Sequence, residues 1–410
     1  MRILVLSNKC PPDYDGGYEL SAFQVAGALR GRGYDVHVAT SHYRPTFAGV
    51  KSDPDWVHRI FEYREWPNLT KSGLARFAED AKRVADMTSV GAANADALRD
   101  FLKDNSFDLG YCFGLHGCGL ATAYPFAERK MPVLWHAGNY LIAQDLQLRP
   151  LLKKNRLAHR IAMHFMSGRA KEMVFNGDYS HIAFLSESMK KEFVGMGYNP
   201  PLSYIISRGI DFPVSDLSET RAPTFLMASR IGEEKGYDIV LDAATRMSKS
   251  NPTAEWQLKI AGNGRPDYIA HLKKKASDAG IADRVHFVGM LKREEVLDEM
   301  RHAYAFISAS IWEEPFGRTN IESLACGAAL IAADTGAIRE IVGDSGCADI
   351  YPKRDAKALA DIMMRIMTDK SHREKLSEQG IKRIKSNYTM DRILDLTETV
   401  IAEVMRDYGR

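Results

Sequence analysis

The sequence predicts an α/β protein that contains two doubly wound parallel sheets, one in each half of the chain. The first observation is the continuous apolar run Arg2–Ser7, which is typical of a parallel-sheet strand covered on both faces. A helix and a second strand, Asp35–Thr40, complete a βαβ unit. The second observation is that strands and helices alternate again from Thr224 onward. The third is the length of 410 residues, which suffices for two or three domains with separate cores.

Composition and charge are those of an ordinary soluble protein and point away from several other classes. The chain is 45% hydrophobic and 26% charged, which is ordinary for a soluble protein, and its net charge of +2 gives no case for a nucleic-acid partner. The five cysteines contain no CxxC pair, so neither a zinc site nor a disulfide framework is indicated. The N-terminal apolar run is too short for a signal peptide, and no apolar segment reaches the roughly 18 residues of a membrane span. We therefore expect a cytoplasmic protein.

The N-terminal half is predicted to contain the first sheet. A helix runs from about Leu20 to Gly31, and residues 43–70 are predicted to be irregular because three prolines interrupt them. Ser186 is expected to cap a helix, and the strand that precedes it is taken as the last clear strand of this half. The remaining predicted elements are a helix over 75–103, strands over 108–113, 132–136 and 181–185, and a helix over 189–196.

Two loops of this half lie at the carboxyl ends of predicted strands, where open α/β sheets bind ligands. Gly16 and Gly17 follow the first strand and permit a close approach of backbone and ligand, although a simple turn is an equal alternative. His136 ends a later strand and faces the expected crevice; the alternative is a structural histidine bonded to a nearby carbonyl.

Residues 145–172 are predicted to be helical and are rich in arginine and lysine. Apolar side chains such as Leu151 and Phe165 alternate with these cations. The segment would suit a peripheral contact with anionic lipid on the inner face of the membrane, or a phosphorylated acceptor. A solvated basic face over a packed apolar face is the alternative.

The predicted domains are 1–207, a linker over 208–222, a second domain over 223–387 and a final helix in 388–410. The linker assignment rests on the polar, turn-rich stretch from Pro213 to Pro223. The second domain repeats the α/β pattern with these strands and helices: strands over 224–229, 258–261, 285–288, 305–308 and 328–332, and helices over 237–248, 318–326, 355–369 and 371–387.

The most informative stretch is Trp312–Gly327, in which Glu314 and Glu322 lie eight positions apart around a Pro-Phe-Gly turn. The helix that follows opens with N–H groups of Arg318, Thr319 and Asn320, and a helix N-terminus favours an anion. Carboxylates beside an anion site make sense if the ligand carries both phosphate and hydroxyls, as a nucleotide sugar does. The alternative is that Glu322 is a solvated helix acid and Glu314 an ordinary loop acid.

This stretch closely resembles the Glu-x7-Glu signature of retaining glycosyltransferases of family 4, which have the GT-B fold. Three further loops resemble the same family: Gly16-Gly17-Tyr18-Glu19, Ser229–Gly236 with Arg230 and Lys235, and Thr335–Glu340. The resemblance implies two Rossmann-like domains that face each other across a crevice, with the acceptor bound by the first and the donor by the second. It also implies that the final helix crosses back to the N-terminal domain.

The resemblance also implies a role for each site residue. Glu314 would orient the hydroxyls of the donor sugar, Glu322 would bind ribose, and His136 would line the sugar. Arg230 and Lys235 suit a diphosphate, because one offers forked donors and the other a point charge. The amides of Thr319 and Asn320 would assist them. The other expected donor-binding residues are Gly16, Gly17, Gly262, Met290, Leu291, Phe316 and Gly317.

The sequence therefore predicts a retaining, metal-independent transferase that moves a sugar from a nucleotide diphosphate sugar to a hydroxyl acceptor. UDP is favoured, GDP is next, and no cofactor is expected. No metal ligands are predicted, since the pair Asp53 and Asp55 flanks a proline in an irregular loop. Three alternatives remain: a sugar-nucleotide epimerase, a glycogen-type phosphorylase, which needs a longer chain, and a non-enzymic sugar-nucleotide sensor.

Overall fold

The computed structural model describes residues 1–14, 16–44, 52–65, 73–139, 142, 168–212, 214 and 221–410, and for 73–88 the backbone alone. The chain divides into two compact units. Unit 1 comprises Met1–Ile206 together with Ile393–Arg410, and unit 2 comprises Ser207–Arg392. Most of the basic segment 145–172 lies outside the described residues.

Unit 1 is built on a parallel sheet, and the described residues contribute seven strands to it in the order β3-β2-β1-β4-β5-β6-β7. Strands β1 and β4 lie side by side in the middle, with Leu4 opposite Gly110. Their neighbours follow outward in opposite directions, which is the doubly wound pattern that the sequence predicts. The strands are β1 Arg2–Leu6, β2 Asp35–Ser41, β3 Val57–Phe61, β4 Leu109–Cys112, β5 Val133–Ala137, β6 His181–Phe184 and β7 Leu202–Ile205.

Two of these strands correct the prediction. Strand β3 lies within residues 43–70, which were expected to be irregular, and β7 follows the strand taken as the last clear one. Polar residues hide β3 in the sequence, because His58 and Arg59 interrupt its apolar pattern. The structure gives both a partner: His58 contacts His37 at 2.9 Å, and Arg59 pairs with Asp53 at 2.9 Å. Strand β7 has no fully buried residue, which is typical of an edge strand.

The helices of unit 1 connect the strands of its sheet. Ser186 caps α5 by accepting a hydrogen bond from the amide of Met189 at 3.0 Å, which confirms the predicted cap. The helices are α1 Gly17–Gly31, α2 Gly73–Asp104, α3 Tyr124–Glu128, α4 Gly168–Phe175 and α5 Glu187–Gly195. None of the helices in the described part of the chain is long and apolar enough to cross a membrane.

Unit 2 repeats the design with a second parallel sheet, to which the described residues contribute six strands in the order β10-β9-β8-β11-β12-β13. Here β8 and β11 are the central neighbours, with Phe225 opposite Ala305. The strands are β8 Ala222–Ala228, β9 Gln257–Ala261, β10 Val285–Gly289, β11 Ala303–Ser308, β12 Ala329–Ala333 and β13 Ala348–Tyr351. This confirms the second doubly wound sheet.

The helices of unit 2 cover its sheet, and the last helix of the chain leaves it. From Ile393 onward that helix belongs to unit 1, where Arg32 pairs with Asp395 at 2.6 Å and with Glu398 at 2.8 Å. The helices are α6 Tyr237–Ser250, α7 Pro266–Asp278, α8 Arg293–His302, α9 Arg318–Ala325, α10 Ile338–Val342, α11 Ala356–Thr368, α12 Lys370–Asn387 and α13 Met390–Asp407.

Candidate active site

The central feature of unit 2 is the point where β8 and β11 lie side by side and their connections diverge. Open α/β sheets bind ligands at the carboxyl ends of two such strands. The loop after β8 carries Lys235, and the loop after β11 carries Glu314. The structure joins them, since Lys235 Nζ lies 2.7 Å from Glu314 Oε2. Two predicted site residues from distant parts of the sequence therefore meet at the place that the topology favours.

Glu314 is anchored through one of its two carboxylate oxygens. Besides Lys235, Ser310 donates its hydroxyl to Oε2 at 2.9 Å. No hydrogen bond from the described part of the chain reaches Oε1. The side chain is one quarter exposed, at 25%. A small cleft here is lined by Glu314, Lys235, Gly317 and Thr319. The open oxygen can thus accept a hydrogen bond from a ligand hydroxyl.

Glu313, the neighbour of Glu314, has both oxygens occupied. The amide of Gly336 donates to Oε2 at 2.6 Å, and Lys353 Nζ lies 2.7 Å from Oε1. The bond from Lys353 and the one from the Gly336 amide lower the pKa of Glu313. Glu313 therefore ties the loop 309–317, which we call the acid loop, to the turn after β12. Sequence reasoning missed this residue, because nothing in the motif separates it from Glu314.

The turn Thr335–Ala337 supports the acid loop through its backbone. The amide of Ala337 donates to the carbonyl of Glu314 at 3.1 Å, and Thr335 Oγ1 donates to the carbonyl of Trp312 at 2.9 Å. Gly336 has a φ of +57°, and a Cβ there would lie 2.2 Å from the Glu314 carbonyl oxygen. Only glycine fits this approach. The predicted turn therefore acts on the site by holding Glu314.

Glu322 lies one turn into α9 and is almost fully buried. Its Oε1 accepts a hydrogen bond from Arg318 Nε at 2.9 Å and contacts Arg293 Nη2 at 3.2 Å. Asp211 in turn lies 2.6 Å from Arg293 Nη2. Within the described residues no hydrogen bond reaches Oε2 of Glu322. Glu322 thus repeats the arrangement of Glu314, with one oxygen held and one open.

The start of α9 corrects one expectation. Gly317 takes a φ of +80°, and the amide of Asn320 donates to its carbonyl at 3.0 Å. The Asn320 amide is therefore used by the turn and is not available to a phosphate. The Asn320 side chain is buried, and its Oδ1 has no hydrogen-bond partner among the described residues. Thr319 lines the cleft beside Lys235.

Phe316 also departs from its predicted role as a donor contact. Its ring is buried and tilts against Tyr388, with centroids 5.9 Å apart. The side chain therefore packs the acid loop onto the end of α12 and does not face a ligand. A motif identifies which residue stands at a position, but not which way an apolar ring points.

Arg230 and the loops beyond it line the same edge of the sheet. Arg230 is 73% exposed and pairs with Glu234 at 2.6 Å, so the structure places it at the surface of the loop. Gly262 has a φ of +140°, and a Cβ there would lie 1.9 Å from the carbonyl oxygen of Ser229. The amide of Gly262 donates to the carbonyl of Gly289 at 2.7 Å.

Met290 and Leu291 follow Gly289 directly. Met290 is 71% exposed, an unusual exposure for an apolar side chain. Leu291 is half-buried. Both lie in the loop between β10 and α8, and Arg293 opens that helix. Met290 is therefore accessible in this loop, and its expected contact with the donor stays a prediction.

In unit 1, the contacts of His136 are those of a structural histidine. Nδ1 lies 2.8 Å from the hydroxyl of Tyr111, and Nε2 lies 3.0 Å from the carbonyl oxygen of Ile206. The ring is buried, with 4% of the residue exposed. Both nitrogens are engaged, so the structure supports the alternative of a histidine bonded to a nearby carbonyl.

The predicted loop at Gly16 and Gly17 forms the start of α1. Gly16 is the N-cap residue, in an extended conformation. Tyr18 donates its hydroxyl to the carbonyl of His136 and packs against Gly138, where a Cβ would collide with the ring. This loop is therefore fixed by Tyr18 to the end of β5. Across the described ranges, no group of three or more His, Cys, Asp or Glu side chains is placed to hold a metal ion.

Comparisons with known proteins agree with this architecture. Residues 211–383 match the family described as Glycosyl transferases group 1. The lipopolysaccharide core biosynthesis mannosyltransferase LpsB of Rhizobium meliloti is 29% identical over 182 residues, covering 43% of this chain and 50% of that protein. The phosphatidyl-myo-inositol mannosyltransferase of Mycolicibacterium smegmatis is 26% identical over 369 residues, covering 88% of this chain and 84% of that protein. The chain spans about half the length of the first curated relatives it matches.

Solved structures show the fold. Anabaena HepE in complex with UDP covers 98% of this chain and 100% of its own, with a TM-score of 0.67 and 18% identity. Sucrose-phosphate synthase from Thermosynechococcus elongatus covers 99% of both chains, with a TM-score of 0.70 and 17% identity. The chain thus has the GT-B fold, and the family match over 211–383 supports a glycosyltransferase.

Proposed function

We propose that this protein is a retaining glycosyltransferase of family 4, which moves a sugar from a nucleotide diphosphate sugar to a hydroxyl acceptor. The observation that carries the proposal is the pairing of Glu314 with Lys235 at the carboxyl ends of β8 and β11. A carboxylate that is anchored on one oxygen and open on the other suits the hydroxyls of a sugar. An ammonium beside it suits a phosphate.

The charges of the site fit a diphosphate leaving group. Negative charge builds on the diphosphate as the bond to the sugar breaks, so donors fixed beside it stabilise the transition state. Lys235 is the best placed, because it is largely buried and already held at Glu314. Arg230 lies on the same loop with an exposed guanidinium, and we assign it to the second phosphate. The leaving phosphate would then assist deprotonation of the acceptor.

The donor is proposed to be a UDP-sugar, with a GDP-sugar as the second candidate, and the sugar a hexose. Several relatives are named as mannosyltransferases, and HepE is described with UDP. The acceptor is proposed to be a glycan, a lipid-linked glycan or a small molecule. Contact with a membrane through 145–172 and a cytoplasmic location belong to the same proposal.

A binding experiment tests the proposal on the full chain. Thermal shift and calorimetry with UDP, GDP and their hexose conjugates should show stabilisation by at least one of them, because a ligand that binds only the folded state raises its stability. Lys235→Met should weaken that binding by roughly tenfold or more, since a hydrogen bond to a charged group is lost.

The matched control is Lys274→Met. Lys274 also pairs with a carboxylate, that of Asp278 at 2.6 Å, but it lies on the surface of α7. This variant should bind like the parent protein. Absence of binding to every nucleotide in the parent, or equal losses in both variants, would refute the proposed site. Isomerisation of the sugar nucleotide without an acceptor would identify an epimerase instead.

A further inference from the structure

We propose that Arg318 and Arg293 are positioning residues for the nucleotide, which act by holding Glu322 so that its open oxygen meets a ribose hydroxyl. The inference rests on the proposed function, because ribose is the part of the donor that Glu322 would bind. It adds two residues to the site and states how they act. Neither arginine is proposed to touch the sugar or the reacting atoms.

Four side chains form what we call the Glu322 ring: Asp211, Arg293, Arg318 and Glu322. Arg318 Nε lies 2.9 Å from Glu322 Oε1, and Arg293 reaches the same oxygen with Nη2 at 3.2 Å. Asp211 lies 2.6 Å from Arg293 Nη2 and 3.6 Å from Arg318 Nη2. Positive and negative groups therefore alternate around the ring.

Burial explains why the carboxylate needs these partners. The side chains of Glu322 and Arg318 are only 8% and 10% exposed. A buried charge without a partner is strongly unfavourable, whereas one paired in good geometry is tolerated. The two arginines thus pair with the Glu322 carboxylate at this depth. Arg318 and Glu322 are four residues apart on α9, a spacing that brings two side chains on one helix into contact.

The ring also fixes the direction of the carboxylate. Two guanidinium groups converge on Oε1, and no hydrogen bond from the described residues reaches Oε2. A carboxylate held in this way does not rotate freely, so its second oxygen keeps one orientation before a ligand arrives. An acceptor that is already oriented loses less conformational entropy when a ligand binds. The fixed direction of Glu322 Oε2 therefore favours a hydrogen bond from a ribose hydroxyl.

The measurement that isolates this role is discrimination at ribose. Calorimetry would compare UDP with 2′,3′-dideoxy-UDP, and GDP with its dideoxy analogue, on the full chain. The parent protein should prefer the hydroxylated nucleotide by about tenfold or more, as expected for a hydrogen bond to a charged group. Glu322→Gln and Arg318→Met should each reduce this preference to about threefold or less.

The double variant Arg318→Met with Glu322→Gln should keep the same preference for the hydroxylated nucleotide as Glu322→Gln alone. If Arg318 acts through Glu322, its loss has no further effect once Glu322 is replaced. Arg318→Lys should retain more of this preference than Arg318→Met, because lysine keeps the positive charge but lacks the paired donors of a guanidinium. The control Lys357→Met removes a surface pair with Asp361 and should leave the preference unchanged. The ratio of two affinities does not depend on the fraction of folded protein.

The possible outcomes separate the inference from the proposed function. Loss of the preference in both Arg318→Met and the corresponding Arg293→Met supports the inference. A preference that survives in both arginine variants but disappears in Glu322→Gln overturns it and leaves the proposed function intact. A parent protein that binds nucleotide without any preference overturns the role of Glu322 at ribose, and the inference with it. Failure of the parent to bind UDP or GDP would refute the proposed function itself.

Discussion

Three glutamates of unit 2 differ in how many of their oxygens are occupied. Glu314 and Glu322 each hold one oxygen in a hydrogen-bonded pair and leave the other without a partner from the described residues. Glu313 uses both, one for Lys353 and one for the amide of Gly336. Two acids are therefore equipped to accept a ligand hydroxyl, and the third is equipped to hold a loop.

Substitution of the two open acids should separate chemistry from binding. Glu314→Gln keeps the shape of the side chain but weakens its contact with Lys235, so kcat should fall by roughly a hundredfold while the donor KM changes little. Glu322→Ala should instead raise the dissociation constant of the donor nucleotide by roughly tenfold. Steady-state kinetics and calorimetry on both variants check this. Equal losses of affinity and rate in Glu314→Gln would show that Glu314 binds substrate and transition state alike.

The spacing of Glu314 and Glu322 was readable from the sequence, but their partners were not. Arg293 lies 29 positions from Glu322 and 82 from Asp211, so no local pattern connects the three. The same holds for Lys353, which lies 40 positions from Glu313. Contacts of this kind depend on how loops at the ends of different strands converge, and that follows from the fold.

Among the structural elements, the turn after β12 sets the position of the acid loop. Gly336→Ala should lower activity by roughly tenfold or more, because the new Cβ would displace the backbone of Glu314, only 2.2 Å away. Gly346→Ala is the matched control: Gly346 has a similar φ of +64°, but a Cβ added there would meet nothing within 4 Å. Both variants carry the strain of positive φ, of order 1 kcal/mol, and both should lose a similar amount of stability from it.

Activity assays and thermal unfolding of the two glycine variants make the comparison. The activity of Gly346→Ala should stay near that of the parent. If both variants lose activity equally, backbone strain accounts for the loss. That result would refute the claim that the turn after β12 positions Glu314.

The contact between β2 and β3 should make stability depend on pH. Burial lowers the pKa of His58, and the neighbouring His37 and Arg2 lower it further. His58 therefore takes up a proton at a higher pH in the unfolded chain than in the folded one. The free energy of unfolding should fall as the pH decreases from about 6.5 toward the folded pKa.

Urea titrations at several pH values check this, with His58→Phe as the variant. Phenylalanine keeps an aromatic ring against Phe101 but cannot take up a proton. Its free energy of unfolding should vary less steeply between pH 7 and pH 5 than that of the parent. Identical slopes would show that another group carries the pH dependence.

Most strands were predictable because parallel strands buried on both faces read as continuous apolar runs. Strand β3 was not, since its polar residues are satisfied by partners in other segments. The edge strand β7 was missed for a related reason, because an edge strand need not be buried on both faces. The ring of Phe316 was misplaced because burial of one side chain in a loop depends on packing against Tyr388, far away in sequence.

For the molecule as a whole, the proposed function implies catalysis by fixed charges of the chain. Lys235, Arg230 and the start of α9 would compensate a diphosphate leaving group, the task that a bound metal performs in other transferases. Turnover should therefore persist in excess EDTA. The control is addition of magnesium after EDTA, which should change the rate by less than about twofold if the metal plays no part. Loss of activity in EDTA with recovery in magnesium would contradict this.

The anomeric configuration of the product tests the proposed function most directly. A donor sugar of defined configuration, an acceptor identified by screening and proton NMR of the earliest product suffice for the measurement. We expect the new linkage to have the same anomeric configuration as the donor, because the Glu314 and Glu322 pair resembles the signature of retaining enzymes. An inverted linkage would contradict the assignment on which the proposed roles of both acids depend.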